Sequence, residues 1–314
     1  MKKSFINNVN LMGILYEHNL TLKETGANSK NPGTEFISGT IGIATDDAIT
    51  NIVQVHFTYV TATNAKGGAN ATFSILKDII NGVLLTYMDD PDKAVRLTVD
   101  SAIGLNEFYS NRSGTEELVS VKRNEGGFIH IVKPVEWIDD ELKRNKFKCD
   151  MVITNVRSVE ADEEKEIPEK VIVKGAIFDF RKSLLPVEFV ATDPSAMTYF
   201  EGLDASNANP VFTAVWGKQI SEVVKRVIRT ESAFGEDDVR EVQSTRKEYL
   251  ITGGSKEPYA WDDSATLTAQ ELTEMMANRQ TYLATIKQRQ DEYQASRNSN
   301  AAAAPRNATG GFNF

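Results

Sequence analysis

The chain has 314 residues, an ordinary hydrophobic share of 41% and a formal net charge of -9, from 35 Lys and Arg against 44 Asp and Glu. That is enough chain to bury a core in one large or two modest domains. A single cysteine, Cys149, excludes an internal disulfide framework, and three scattered histidines, His18, His56 and His130, offer no metal-ligand spacing.

The first ten residues carry Lys2 and Lys3 and then turn polar, so no secretory leader is expected, and no apolar run approaches the roughly 20 residues needed to span a bilayer. The expectation is a soluble protein with no membrane association. From Val9 to about Val190, β-branched and aromatic runs recur between Gly, Asn, Asp and Pro, the texture of an antiparallel β domain. Val9 to Lys23 reads as a long strand, with Glu35 to Thr45 as its partner across a Gly26 to Gly33 loop. Ile52 to Val60 is the clearest strand: Val53, Val55, Phe57 and Tyr59 share the expected core face, while Gln54, His56 and Thr58 share the wet one.

Ala69 to Gly82 carries Phe73, Leu76, Ile79 and Ile80 at helical spacing behind an Asn70 cap, which predicts a short helix between strands. Further strands are expected at 94–103, 118–121, 128–132, 147–159, 171–180 and 187–191. A closed barrel disposes of the edges of so many short strands, and three strands followed by a helix suggest a mainly β fold, an elaborated OB-type antiparallel barrel. A β-sandwich is the alternative.

Four parts are expected: a barrel core over 1–192, a hairpin-containing extension packed on it over 193–265, a C-terminal helix over 266–295 and a disordered tail over 296–314. In the extension, Trp216 reads as a core anchor and 222–251 as a solvent-facing hairpin. Thr268 and Glu271 fit a capping box, and Leu272, Met275, Met276, Leu283, Ile286 and Tyr293 form a stripe for the barrel or for a second copy of the chain. The tail ends in Phe312 and Phe314, either a docking peptide for other proteins or a functionless end.

There is no Walker-type loop, G-x-S-x-G elbow, H-E-x-x-H or G-x-G-x-x-G, so neither an enzyme nor a cofactor is expected. Asp46-Asp47 and Asp89-Asp90 read as solvated turns rather than a magnesium site, and Cys149 as a buried, inert thiol. What the sequence offers instead is cations interleaved with aromatics. Phe108, Tyr109 and Arg112 precede Lys122, Arg123, Phe128 and His130, with Gly126-Gly127 as a closing loop; aromatic faces stack on any base while Lys and Arg neutralise the backbone. His56, and a second cluster of Lys143, Arg144, Lys146 and Lys148, extend the candidate interface. The structural reading of the same residues is core aromatics and solvated charges. Acidic clusters such as Asp237-Asp238 and Asp262-Asp263 leave room for a positive groove on an anionic body.

The runs NNVNLMGILYEHNLTLKETG, GTEFISGTIGIATDD and NIVQVHFTYV resemble the opening strands of OB-fold single-stranded DNA-binding proteins. The later blocks NEFYSNRSGTEELVSVKRNEGGFIHIV and KGAIFDFRKSLLPVEFV resemble single-strand-binding proteins of tailed phages and prophages. The resemblance implies a sequence-independent single-stranded DNA-binding protein that supports phage DNA replication or recombination in the host cytoplasm, as a homo-oligomer or with replication proteins as partners. The tip from Gly310 to Phe314 keeps terminal aromatics and lacks the acids of bacterial relatives, and the chain is much longer than a minimal OB domain, so the strands past Phe147 need either a second barrel or an embellished single one. The alternative reading is a virion structural or assembly protein with a self-associating β domain.

Overall fold

The computed structural model describes residues 4–303 apart from 112–113, 163–167, 231, 236–237 and 262–266. Strands β1 (Asn7–His18), β2 (Thr21–Glu24), β3 (Glu35–Ala44) and β4 (Ile52–Thr61) precede helix α1 (Ala71–Ile80), and β5 (Arg96–Ser110) and β6 (Glu117–Ile131) follow it. β1 pairs with both β3 and β5, β3 with β4, β5 with β6, and β4 runs parallel to β6, so the five strands close into a ring. Val9, Leu11, Ile41, Val55, Phe57 and Val99 fill its interior, and α1 adds Phe73, Leu76 and Ile79 to that core. The Asn70 side chain accepts from the Thr72 amide at 3.2 Å and so caps the helix.

The same plan repeats. β7 (Asn145–Val159), β8 (Lys170–Phe178), β9 (Leu184–Ala191), α2 (Pro194–Glu201), β10 (Val211–Thr230) and β11 (Asp238–Gly254) form a second ring, with β9 parallel to β11 and β10 returning to β7. In each ring the chain visits three strands, a helix and two strands, and the last strand pairs in parallel with the third. That is the Greek-key connectivity of an OB-type barrel, built twice in a mainly β chain.

The expected organisation changes here. The hairpin after residue 193 does not lie on a barrel already complete by 192; it closes a second ring with strands that begin at Asn145. The barrels also share a sheet, because Asn7 to Leu11 of β1 pair with Cys149 to Asn145 of β7.

The seam is buried and polar. Asn124 and Gln219 exchange amide hydrogen bonds, the Tyr249 hydroxyl donates to Asn124 Oδ1 at 3.2 Å, and Asn51 and Asn145 both donate to the Gln219 carbonyl, at 3.0 and 2.8 Å. A satisfied network of this kind specifies one register between the two barrels.

Two β-bulges decide which aromatics reach the surface. Opposite Ser38 the register of β3 and β4 slips, so Tyr59 turns outward, 51% exposed and 4.6 Å from the Phe36 ring, instead of following Phe57 into the core. In β6, Gly127 is the extra residue opposite Asp100 and Ser101, which turns Phe128 outward; without the bulge Phe128 would follow Asn124 and Gly126 inward. Gly126 and Gly127 are therefore strand residues, not a closing loop. A Cβ on Gly126 would lie 2.3 Å from the Phe57 ring.

Trp216, expected in the core, is 39% exposed on β10. Helix α3 (Ala269–Ala303) opens on the expected capping box, Glu271 N donating to Thr268 Oγ1 at 3.1 Å and Thr268 N to Glu271 Oε2 at 2.9 Å, but continues past Tyr293 and through the first eight residues of the expected tail. Of its stripe, Leu272 and Met275 pack on a small second core around Phe178, Phe212 and Leu267, whereas Met276 and Tyr293 face solvent. Phe312 and Phe314 lie outside the described residues.

Candidate nucleic-acid interface

The candidate residues fall in separate places. Arg144 is buried and makes an ion pair with Asp47 at 2.5 Å, bonds to the Ile138 and Asp139 carbonyls and a stacking contact with Trp137; it pins the connector between the barrels and is closed to phosphate. Lys122 is also committed, donating to the Glu188 carbonyl at 2.7 Å over the Tyr249 ring, and burial holds its pKa below the ordinary lysine value. Both corrections have one cause. Each cation has a partner far away in sequence, Asp47 for Arg144 and the Glu188 carbonyl for Lys122, which no local pattern reports.

Lys143 lies on the surface, paired with Asp140 at 3.1 Å. His56 and Arg123 do meet, on adjacent strands, but Glu125 neutralises Arg123 at 2.6 Å. The His56 imidazole is half-buried, 3.3 Å from the Thr40 hydroxyl, and its pKa is lowered first by burial and then by the Arg123 cation, against the pull of Glu125. Tyr109 is held by α3: its amide donates to Gln290 Oε1 at 2.9 Å and its carbonyl accepts from Gln290 Nε2 at 2.6 Å, while Lys287 lies over its ring. Phe108 beside it is 40% exposed. Arg112 lies outside the described residues.

Phe128 and His130 are exposed together on β6, and Phe128 opens onto a groove of about 1090 Å³ between β5 and β6, the β8–β9 turn and α3. The turn supplies what the sequence reading missed. Lys182 N donates to the Asp179 carbonyl at 3.0 Å, and Asp179 Oδ1 accepts from Arg181 N at 2.8 Å and Ser183 N at 2.7 Å. This leaves Phe180 90% exposed at the tip with the Arg181 guanidinium 5.1 Å from its ring. Lys182 adopts φ +64°, a conformation that glycine relieves and lysine strains. An exposed Phe-Arg-Lys run at a hairpin tip, with no glycine at the left-handed position, was the available signal.

The groove's charges balance in number despite the acidic chain: Arg279 and Arg123 pair with two carboxylates, and Arg181 and Lys182 match the two that keep their charge, Asp100 and Asp179. Of its four carboxylates, Glu107 is clamped by Arg279, Glu125 is paired with Arg123, Asp100 accepts from Asn10 Nδ2 and Asp179 holds its own turn. Arg181 and Lys182 form no ion pair among the described residues. Tyr282 of α3, 48% exposed, lines the opposite wall. Among the described residues no group of three or more His, Cys, Asp or Glu could hold a metal ion, and no helix is long and apolar enough to cross a membrane.

Fold and groove together define a tandem OB-type barrel protein with a cleft that presents aromatic rings and cations. The chain belongs to the YorF family, whose model matches residues 6–289. No curated protein matches it. Among solved structures it is similar to a deletion variant of the single-stranded DNA binding protein from Thermus aquaticus, with 10% identity, a TM-score of 0.47 and coverage of 83% of this chain and 98% of that one. The wild-type form of the same protein gives 11% identity, a TM-score of 0.45 and coverage of 83% and 97%.

Proposed function

We propose that the chain binds single-stranded DNA without sequence preference, acting as a binding protein rather than an enzyme. One observation carries this reading: Phe128 and Phe180 stand exposed in the same groove as Arg181 and Lys182, two cations with no ion pair among the described residues. Flat rings accept any base, and unpaired cations meet the backbone, so the groove confers affinity without reading sequence. Duplex DNA hides its base faces and gains nothing from the rings. In this reading the protein coats exposed strands during phage or prophage replication or recombination in a host cell, and the residues beyond 303 recruit other proteins.

Fluorescence anisotropy with oligo-dT at low salt tests it. Binding should weaken steeply with added salt, and Phe128→Ala and Phe180→Ala should each cost about 1 to 3 kcal/mol of affinity. No binding by the intact chain, or equal affinity for duplex and single strand, ends the proposal.

A further inference from the structure

We infer that the binding surface does not stop at the groove but crosses the seam between the barrels, over Lys146, Lys148, Lys218 and the indole of Trp216. This rests on the reading of the groove as a site for single-stranded DNA. It extends that site onto a face of the second barrel.

The register supplies the path. Phe128 opposes Asp100, Asp100 opposes Asn10, and Asn10 opposes Lys146; one row over, Asn8, which lines the groove, opposes Lys148, and Lys148 opposes Trp216. The strands β6, β5, β1, β7 and β10 thus form one continuous sheet face, and four inter-strand steps carry it about 19 Å from Phe128 to Trp216. Asn8, Asn10, Lys146 and Lys148 are all exposed, since their neighbours Val9, Leu11, Phe147 and Cys149 take the core side of β1 and β7. Lys218 emerges on β10 two residues beyond Trp216.

The chemistry of this face sets it apart from the rest of an acidic protein. Lys146, Lys148 and Lys218 form no ion pair among the described residues, although 44 acids outnumber 35 bases in the chain. The acids on and beside the path are engaged: Asp140, which interacts with Lys146, is paired with Lys143 at 3.1 Å. Asp100 accepts from Asn10 at 2.5 Å, and Asp150 is buried, accepting from the Ile6 amide at 2.7 Å and the Tyr259 hydroxyl at 3.2 Å.

Trp216 is seated, not loose. Its indole lies against Gly253, where a Cβ would come within 2.3 Å of Nε1, and the Lys148 ammonium lies 5.9 Å from its ring. A large ring held flat beside unpaired ammonium groups is a stacking platform with a phosphate contact attached. The ligand is a polynucleotide strand long enough to leave the groove and reach the second barrel.

Length dependence tests this. An oligo-dT of about 6 nucleotides fills the groove alone, whereas one of about 30 exceeds what a pair of OB barrels covers. The Lys146→Ala/Lys148→Ala variant should bind the short oligomer as wild type does and the long one 10-fold or more weakly, with a salt slope smaller by about 1.4. The long oligomer should quench the Trp216 component of fluorescence, defined against a Trp216→Phe variant, and the short one should not. If the lysine variant binds the long oligomer with unchanged affinity and slope while Phe180→Ala weakens both lengths, the seam is excluded and the groove reading stands. If the wild-type chain binds neither length, both fall. A change in sedimentation mass on substituting the lysines, without a change in DNA affinity, would make the seam a contact between copies and overturn the inference.

Discussion

Asn124 and Gln219, 95 residues apart, exchange two hydrogen bonds through their side-chain amides, Nδ2 to Oε1 at 2.8 Å and Nε2 to Oδ1 at 3.0 Å, and so couple the last strand of one barrel to the fourth strand of the other. Truncating either residue strands buried donors and acceptors on its partner. Asn124→Ala and Gln219→Ala should each destabilise by about 1 to 3 kcal/mol in urea unfolding. The double variant should cost clearly less than the two added together. Additive losses would mean that the pair does not act as a unit.

The Arg279–Glu107 pair docks α3. Glu107 and Arg279 side chains are 2% and 10% exposed, so Arg279→Ala leaves a carboxylate buried without its cation, at a cost of about 3 kcal/mol. Because α3 places no fully buried residue on the barrels between Ala269 and Ala295, the loss should appear as local release of the helix. Faster amide exchange in α3 with little change in the barrels is the expected result; unchanged exchange would place the docking energy elsewhere.

Lys182 separates folding from binding. Glycine relaxes its positive φ, so Lys182→Gly should stabilise the chain by about 1 kcal/mol while weakening oligo-dT binding several-fold. Ordinary surface substitutions do not move the two quantities in opposite directions. Greater stability at full affinity removes Lys182 from the interface.

His56 makes stability fall on mild acidification. Its folded-state pKa lies below the ordinary 6.5, because burial and the Arg123 cation oppose its charged form. The unfolded chain therefore takes the proton first, and folded stability drops as pH falls through 6.5. Chemical unfolding between about pH 7.5 and about pH 5.5 should show this slope in the wild type and less of it in His56→Gln. Equal slopes would mean that His56 titrates alike in both states.

Local periodicity located most strands and both of the features that depend on short-range chemistry, the Asn70 cap and the Thr268–Glu271 box. It failed where one residue changes the parity of a strand. Tyr59 and Phe128 occupy core positions by simple alternation, and only the bulges opposite Ser38 and at Gly127 turn them out. It also could not choose between a second barrel and an embellished single one, since β7 closes its ring with β10 and joins the first ring through β1, some 140 residues earlier, and pairing across such spans leaves no trace in neighbouring residues. Arg144 and Lys122 failed for the same reason: their partners, Asp47 and Glu188, come from distant parts of the chain.

The shared strand also sets a condition on synthesis. The N-terminal ring has all its strands once residue 131 has left the ribosome, yet the Asn7–Leu11 edge of β1 stays uncovered until β7 emerges. During that interval the nascent chain carries an open, hydrogen-bond-hungry edge beside an already closed barrel. A fragment ending in the connector should therefore pair edge to edge with its own copies, and it is the arrival of β7 that makes the full-length product safe from its neighbours on the polysome.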